Sequence, residues 1–86
     1  MLVRSPAEFG HLARDARHRL ALTQAQLAER VGVSRKWIVD LEAGKRTTDL
    51  SLVLRTLNVL GLELDVRPRS GSPALDAVVP PARPER

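Results

Sequence analysis

A chain of 86 residues that is 43% hydrophobic and holds no cysteine fits one small domain, and it excludes disulfide scaffolds and thiolate metal sites. Phe9 and Trp37 are its only aromatic side chains, so the core must be built from Leu, Val, Ile and Ala, and so small a core invites help from a partner. The net charge of +4 and the isoelectric point near 11.0 favour an anionic partner such as nucleic acid, although a solvated arginine-rich surface meets the same numbers.

Met1-Leu2-Val3-Arg4 is too short for a signal peptide, and no apolar run approaches the ~20 residues that span a bilayer. The expected compartment is therefore the cytoplasm, on the nucleoid, with no membrane partner. Ser5-Pro6-Ala7-Glu8 is a strong helix start: a serine N-cap, proline in the first turn and a glutamate completing a capping box. Phe9, Leu12, Ala13, Ala16 and Leu20 then recur at spacings of three and four, which predicts a helix over 6–20 with Arg14, His18 and Arg19 outward. Thr23 with Gln26 three residues on is a second capping pair. Leu27, Ala28 and Val31 share one face of the predicted helix 24–31, and Gly32 follows where a chain leaving a helix needs positive φ.

Ser34 caps a third predicted helix, 35–42, with a buried stripe of Ile38 and Leu41 helped by Val33. Its first turn offers Arg35 and Lys36, and that position tips the charge argument toward nucleic acid. Ala43-Gly44 ends it and Lys45-Arg46-Thr47-Thr48 is a polar loop. Asp49 caps a fourth helix, 50–60, in which Leu50, Val53, Leu54, Leu57 and Leu60 are the expected core, and Gly61 terminates it. Residues 62–67 alternate apolar and charged with period two up to Pro68, the pattern of a half-buried strand. A strand needs a partner; the candidates are Leu2-Val3-Arg4 and the same segment of a second copy, and the alternative is an extended tail. From Pro68 onward lie five of the six prolines, so residues 1–67 read as the folded unit and 68–86 as a Pro-rich flexible tail carrying one short apolar stretch, 74–79.

The ordered set Leu22-Thr23-Gln24, Leu27-Ala28, Gly32-Val33-Ser34, Ile38, Leu41-Glu42 and Gly44-Lys45 resembles the Cro/C1-type (XRE) family of phage and bacterial repressors over roughly residues 6–61. The resemblance implies an all-α, four-helix helix-turn-helix domain that binds double-stranded DNA at an inverted-repeat operator. The fourth helix followed at once by 62–66 is similar to the HipB-type antitoxins. That narrower resemblance implies a C-terminal β-strand pairing across a homodimer through Leu62, Leu64 and Val66, and a HipA-type kinase toxin as a further partner. Many relatives are plain repressors with no toxin.

Family geometry implies that the third helix enters the major groove with its first turn nearest the bases. Arg35 and Lys36 are then the base readers, since either can donate to guanine O6 and N7. Asp40, a turn beyond Lys36, either accepts from cytosine N4 or holds Lys36 or Arg35 in place. The family's glutamine corresponds to Gln24 and contacts phosphate; Ser34, Lys45 and Arg46 are further backbone candidates. Trp37 lies against the sugar-phosphate or a thymine methyl, or else packs on the outside of the first helix; the groove side is the expected one. Arg17 and Glu42 correspond to a family pair forming a buried salt bridge. Enzyme chemistry is not expected: the chain has no glycine-rich phosphate loop and no carboxylate cluster, and no cofactor is implied. His11 and His18, seven apart, cannot share a metal without other ligands. The competing reading of another class is a protein-interaction adaptor.

Overall fold

A computed structural model of the chain describes residues 2–45 and 49–68. They form four helices: α1 (Pro6–Arg19), α2 (Gln24–Val31), α3 (Arg35–Glu42) and α4 (Leu50–Val59). None is long and apolar enough to cross a membrane. Each begins on a side chain that accepts from the orphan N–H three residues on: Ser5 from Glu8, Thr23 from Gln26, Ser34 from Trp37 and Asp49 from Leu52. At α2 the box is reciprocal, with the Gln26 side chain accepting from the Thr23 N–H at 2.9 Å.

The four C-termini share one device. A residue at positive φ follows each helix, namely Ala21, Gly32, Gly44 and Gly61. The next N–H then reaches back five residues: Leu22 to Arg17, Val33 to Ala28, Lys45 to Asp40 and Leu62 to Leu57, at 2.9–3.1 Å. These are Schellman closures, and they turn the chain sharply enough to pack short helices on one another. Three of the four residues so placed, Leu22, Val33 and Leu62, are apolar and pack into or against the core. Ala21 is the exception to the glycine pattern, holding φ at 58° despite its Cβ.

Ala13, Ala16, Leu22, Leu27, Ala28, Val31, Ile38 and Leu60 make the continuous core, with Leu27 and Ile38 fully buried. Burial of each such side chain stabilises the fold by about 1.5–3 kcal/mol before entropy. Small residues bring α1 and α3 together. Gly10 faces the last carbonyls of α3, where an added Cβ would lie 2.5 Å from the Glu42 oxygen, and one added at Gly44 would lie 2.7 Å from the Ala7 Cα. Arg55 of α4 donates to the Val31 carbonyl at 3.0 Å, placing a cation at the negative end of α2.

Three expectations change. The helices α1 and α4 end one residue early, because Leu20 and Leu60 are the caps of their Schellman turns. On α4 only Leu57 and Leu60 of the expected stripe are buried, together with Thr56, whose hydroxyl donates to the Leu52 carbonyl at 2.7 Å; Leu50 and Leu54 are exposed. No strand occurs among the described residues. Leu62 belongs to the end of α4, held by its own N–H bond to Leu57 and packed on the core, whereas Leu64 and Val66 are exposed. Leu2 and Val3 are exposed as well, and the intrachain pairing with 2–4 is absent among those residues.

Candidate nucleic-acid interface

The helices α2 and α3 cross over the tight turn at Gly32-Val33-Ser34, and α3 also packs on α1. The turn leaves the first residues of α3, Arg35 and Lys36, fully on the surface. The far end of α3 is anchored by charge. Arg17 of α1 and Glu42 form a two-pronged pair, with Nε to Oε2 at 2.7 Å and Nη2 to Oε1 at 3.0 Å. Its third prong, Nη1, donates to the Leu22 carbonyl at 2.8 Å. Both side chains are buried, at 9% and 4% exposure, so this is an ion pair paid for by desolvation and satisfied by geometry.

Gln24 extends the anchor outward. Its Nε2 donates to Glu42 Oε1 at 3.1 Å, and its Oε1 accepts from Arg35 Nη2 at 3.4 Å. A continuous polar chain therefore runs Arg17, Glu42, Gln24, Arg35, from the buried end of α3 to its exposed beginning. Beside it lies a shallow cleft lined by Arg14, Arg17, Gln24, Val39, Glu42 and Ala43.

Lys36, Asp40 and Lys45 form a second cluster on the solvent face of α3. Lys36 Nζ lies 2.8 Å from Asp40 Oδ2 and Lys45 Nζ lies 3.5 Å from Oδ1. The hydrogen bond from Lys36 holds the Asp40 carboxyl below the ordinary carboxylate range, with both lysine charges adding to the effect.

Ser34 is exposed and its hydroxyl is engaged as the α3 cap, accepting from the Trp37 N–H at 3.1 Å. Arg46 lies outside the described residues. Trp37 is half-buried, with part of its ring packed against the core cluster. The reason is angular. On a 3.6-residue period Trp37 stands ~100° from Ile38 but only ~40° from Leu41, so it flanks the buried stripe. Sequence reasoning missed Gly10, whose signal was available as a glycine inside a strongly periodic helix. Arg14 was read only as an outward charge. Among the described residues no group of His, Asp or Glu side chains is arranged to hold a metal.

A capped helix, a glycine turn and a second helix with its basic first turn exposed define a helix-turn-helix unit. Residues 8–69 match the helix-turn-helix domain family, and the chain belongs to it. It is similar to the HTH-type transcriptional regulator y4mF of Sinorhizobium fredii, with 42% identity over 64 residues, covering 74% of this chain and 84% of the relative. A second HTH-type transcriptional regulator, from Methanothermobacter thermautotrophicus, is 48% identical over 52 residues, covering 60% of this chain and 75% of the relative. Among solved structures the restriction-modification controller protein C.AhdI of Aeromonas hydrophila superposes with a TM-score of 0.63 at 29% identity, over 67% of this chain and 84% of its own. A chain of the HipA-HipB-O2-O3 complex superposes with a TM-score of 0.70 at 22% identity, over 79% of this chain and 96% of its own; at that identity the likeness is one of fold. The protein is thus an XRE-type helix-turn-helix transcriptional regulator with a HipB-like fold, of a DNA-binding family.

Proposed function

We propose that the protein is a sequence-specific repressor that grips an inverted-repeat operator as a two-fold homodimer, with residues 1–67 as the binding and dimerisation unit and 68–86 as a flexible tail. The observation that carries this reading is the exposed Arg35-Lys36 turn of α3, with Arg35 tied through Gln24 to a buried ion pair. Preorganised donors at the start of a helix suit the major-groove edge of guanine, where Arg35 can bind O6 and N7 together. Gln24 and Ser34 stand beside that turn and Lys45 lies past the far end of α3; these three and Arg46 serve the phosphates.

Dimerisation is supported by apolar surface that one chain leaves open. Leu64 and Val66 are 59% and 85% exposed, and Leu50 and Leu54 add to the uncovered apolar area. An extended segment of alternating pattern buries its apolar side chains and satisfies its backbone by pairing with its copy, which sets the two α3 helices about one duplex turn apart, roughly 34–36 Å. The HipB-like fold favours the finer reading, an antitoxin that binds a HipA-type kinase toxin and represses its own operon. The likeness to a restriction-modification controller favours a repressor without a toxin.

Titration of operator and scrambled duplexes at several salt concentrations tests the DNA assignment. Arg35→Ala and Lys36→Ala should lose about 1–3 kcal/mol of discrimination, whereas Lys45→Ala and Arg46→Ala should weaken both duplexes alike and lower the salt slope by about one. Equal losses on both duplexes for all four variants would falsify the division into readers and anchors. Co-purification with the product of an adjacent kinase-like gene separates antitoxin from stand-alone repressor.

A further inference from the structure

The solvent face of α3 carries one carboxylate between two amines. Asp40 accepts from Lys36 Nζ at 2.8 Å and stands 3.5 Å from Lys45 Nζ. Its main-chain oxygen also takes the Lys45 N–H at 2.9 Å, closing the end of α3. That bond fixes the Lys45 main chain beside Asp40, while its long side chain stays free to turn outward. The lysine side chains are 78% and 66% exposed and that of Asp40 32%, so the acid is the inner member and the amines are the outer ones.

We propose that Asp40 is a specificity-determining residue that acts by holding Lys36, the base-reading amine, away from the phosphate backbone, so that DNA lacking the operator is bound weakly. The inference rests on α3 being the DNA-reading helix. An ammonium group has three donors. Lys36 can keep one on Asp40 and still offer the others to guanine O6 and N7, which are neutral acceptors. A phosphate seeking the same amine meets the Asp40 charge as well. Base contact is compatible with the clamp and phosphate contact is opposed by it. Non-specific affinity arises from counterion release, with a slope of about 0.9 per phosphate contact, and a lysine already neutralised by a carboxylate releases less.

The test uses the full-length protein, a duplex enriched by the wild type from a random-sequence pool, and a scrambled duplex of equal length. Asp40→Asn should bind the scrambled duplex about five- to tenfold more tightly at 0.1 M salt with a slope steeper by about one, since one added contact is worth about eightfold between 1 M and 0.1 M. Its affinity for the enriched duplex should change less than about twofold, so the ratio of the two falls. In a Lys36→Ala/Lys45→Ala background the same substitution should gain no more than about twofold, the residue of a screened long-range charge. An equal gain with and without the lysines would overturn the clamp. So would a loss confined to one C·G pair with no gain on the scrambled duplex, the mark of Asp40 accepting from cytosine N4. A wild type that enriches no duplex would instead remove the DNA-reading assignment itself. Circular dichroism of each variant separates these outcomes from misfolding.

Discussion

Replacing Gly10 by alanine sets two effects of opposite sign against each other, and the close approach of α1 to α3 decides between them. Within an exposed helix the change would add about 1 kcal/mol of stability, because glycine is a poor helix former. Here the new Cβ would meet the Glu42 carbonyl oxygen at 2.5 Å, the Leu41 carbonyl oxygen at 2.8 Å and the Glu42 carbonyl carbon at 2.9 Å. All three are backbone atoms, so no side-chain rotation relieves them, and α3 must shift away from α1. Overpacking of this kind costs typically about 1–3 kcal/mol, and three backbone contacts argue for the upper end. The net loss is then about 2 kcal/mol, a fall in Tm of roughly 8–16 °C for a domain of this size. Gly61→Ala is the control. It has no atom within 4 Å of its built Cβ and loses only the left-handed preference at φ +73°, a cost of about 1 kcal/mol. Urea and thermal unfolding of both variants give the comparison. A Gly10→Ala protein as stable as the wild type would refute the argument that the α1–α3 approach is closed to a Cβ.

Ala21→Gly should raise stability by about 0.5–1 kcal/mol in the same assays, because Ala21 holds φ 58° against its own Cβ. Glu42→Ala should cost about 3–5 kcal/mol, since it leaves the Arg17 guanidinium buried without its counter-charge. The Asp49 carboxyl is held below its ordinary value of 3.8, first by the Ser51 hydroxyl and then by the Leu52 N–H. Its contribution to the α4 cap is thus fully present above that value and is lost as pH falls through the lower folded one, and Asp49→Asn should flatten this part of the acid limb of Tm against pH. Val66→Pro should shift sedimentation toward monomer at tens of micromolar, because proline removes a donor and cannot occupy a central ribbon position.

The helix starts were legible because capping is local: Ser5 and Thr23 each accept from the N–H three residues on, and Gln26 closes the reciprocal box as expected. The expected box at Ser5 does not close, because the Glu8 carboxylate accepts from the Arg4 N–H instead. The helix ends were legible where glycine marks them and invisible at Ala21, where an ordinary residue adopts the same turn. Periodicity places Leu50, Val53, Leu54 and Leu57 on neighbouring faces, yet it cannot say what covers them. The chain itself covers Leu57 and leaves Leu50 and Leu54 open. Trp37 shows the converse. Its position beside Leu41 on the wheel was contained in the spacing, and with it the partial burial of the ring. Gly10 was visible as a misfit within its helix, but the carbonyls it accommodates lie more than thirty residues away in the chain. Arg17 and Glu42 were paired through family resemblance alone, since no local rule joins α1 to the end of α3.

That pairing bears on why the reading turn is held where it is. Two buried charges add little net stability, because their attraction in the interior is largely spent on leaving water. What they do fix is position: a guanidinium with all three nitrogens engaged, two by Glu42 and one by the Leu22 carbonyl, allows Glu42 one placement. Gln24 takes its orientation from that carboxylate and presents the opposite end of its amide to Arg35. A hydrophobic contact at the same place would hold α3 against α1 with equal strength but would not orient Gln24. The polar chain therefore contributes order to an exposed arginine that would otherwise pay for every rotamer it gives up on binding, a cost of about 0.5–1.5 kcal/mol for a side chain of this kind. Gln24→Ala should accordingly leave the unfolding midpoint nearly unchanged while weakening operator binding, and the loss should be smaller in an Arg35→Ala background, where only the phosphate contact of Gln24 is left to lose. Additive losses in the double variant would mean that Gln24 acts on DNA independently of Arg35.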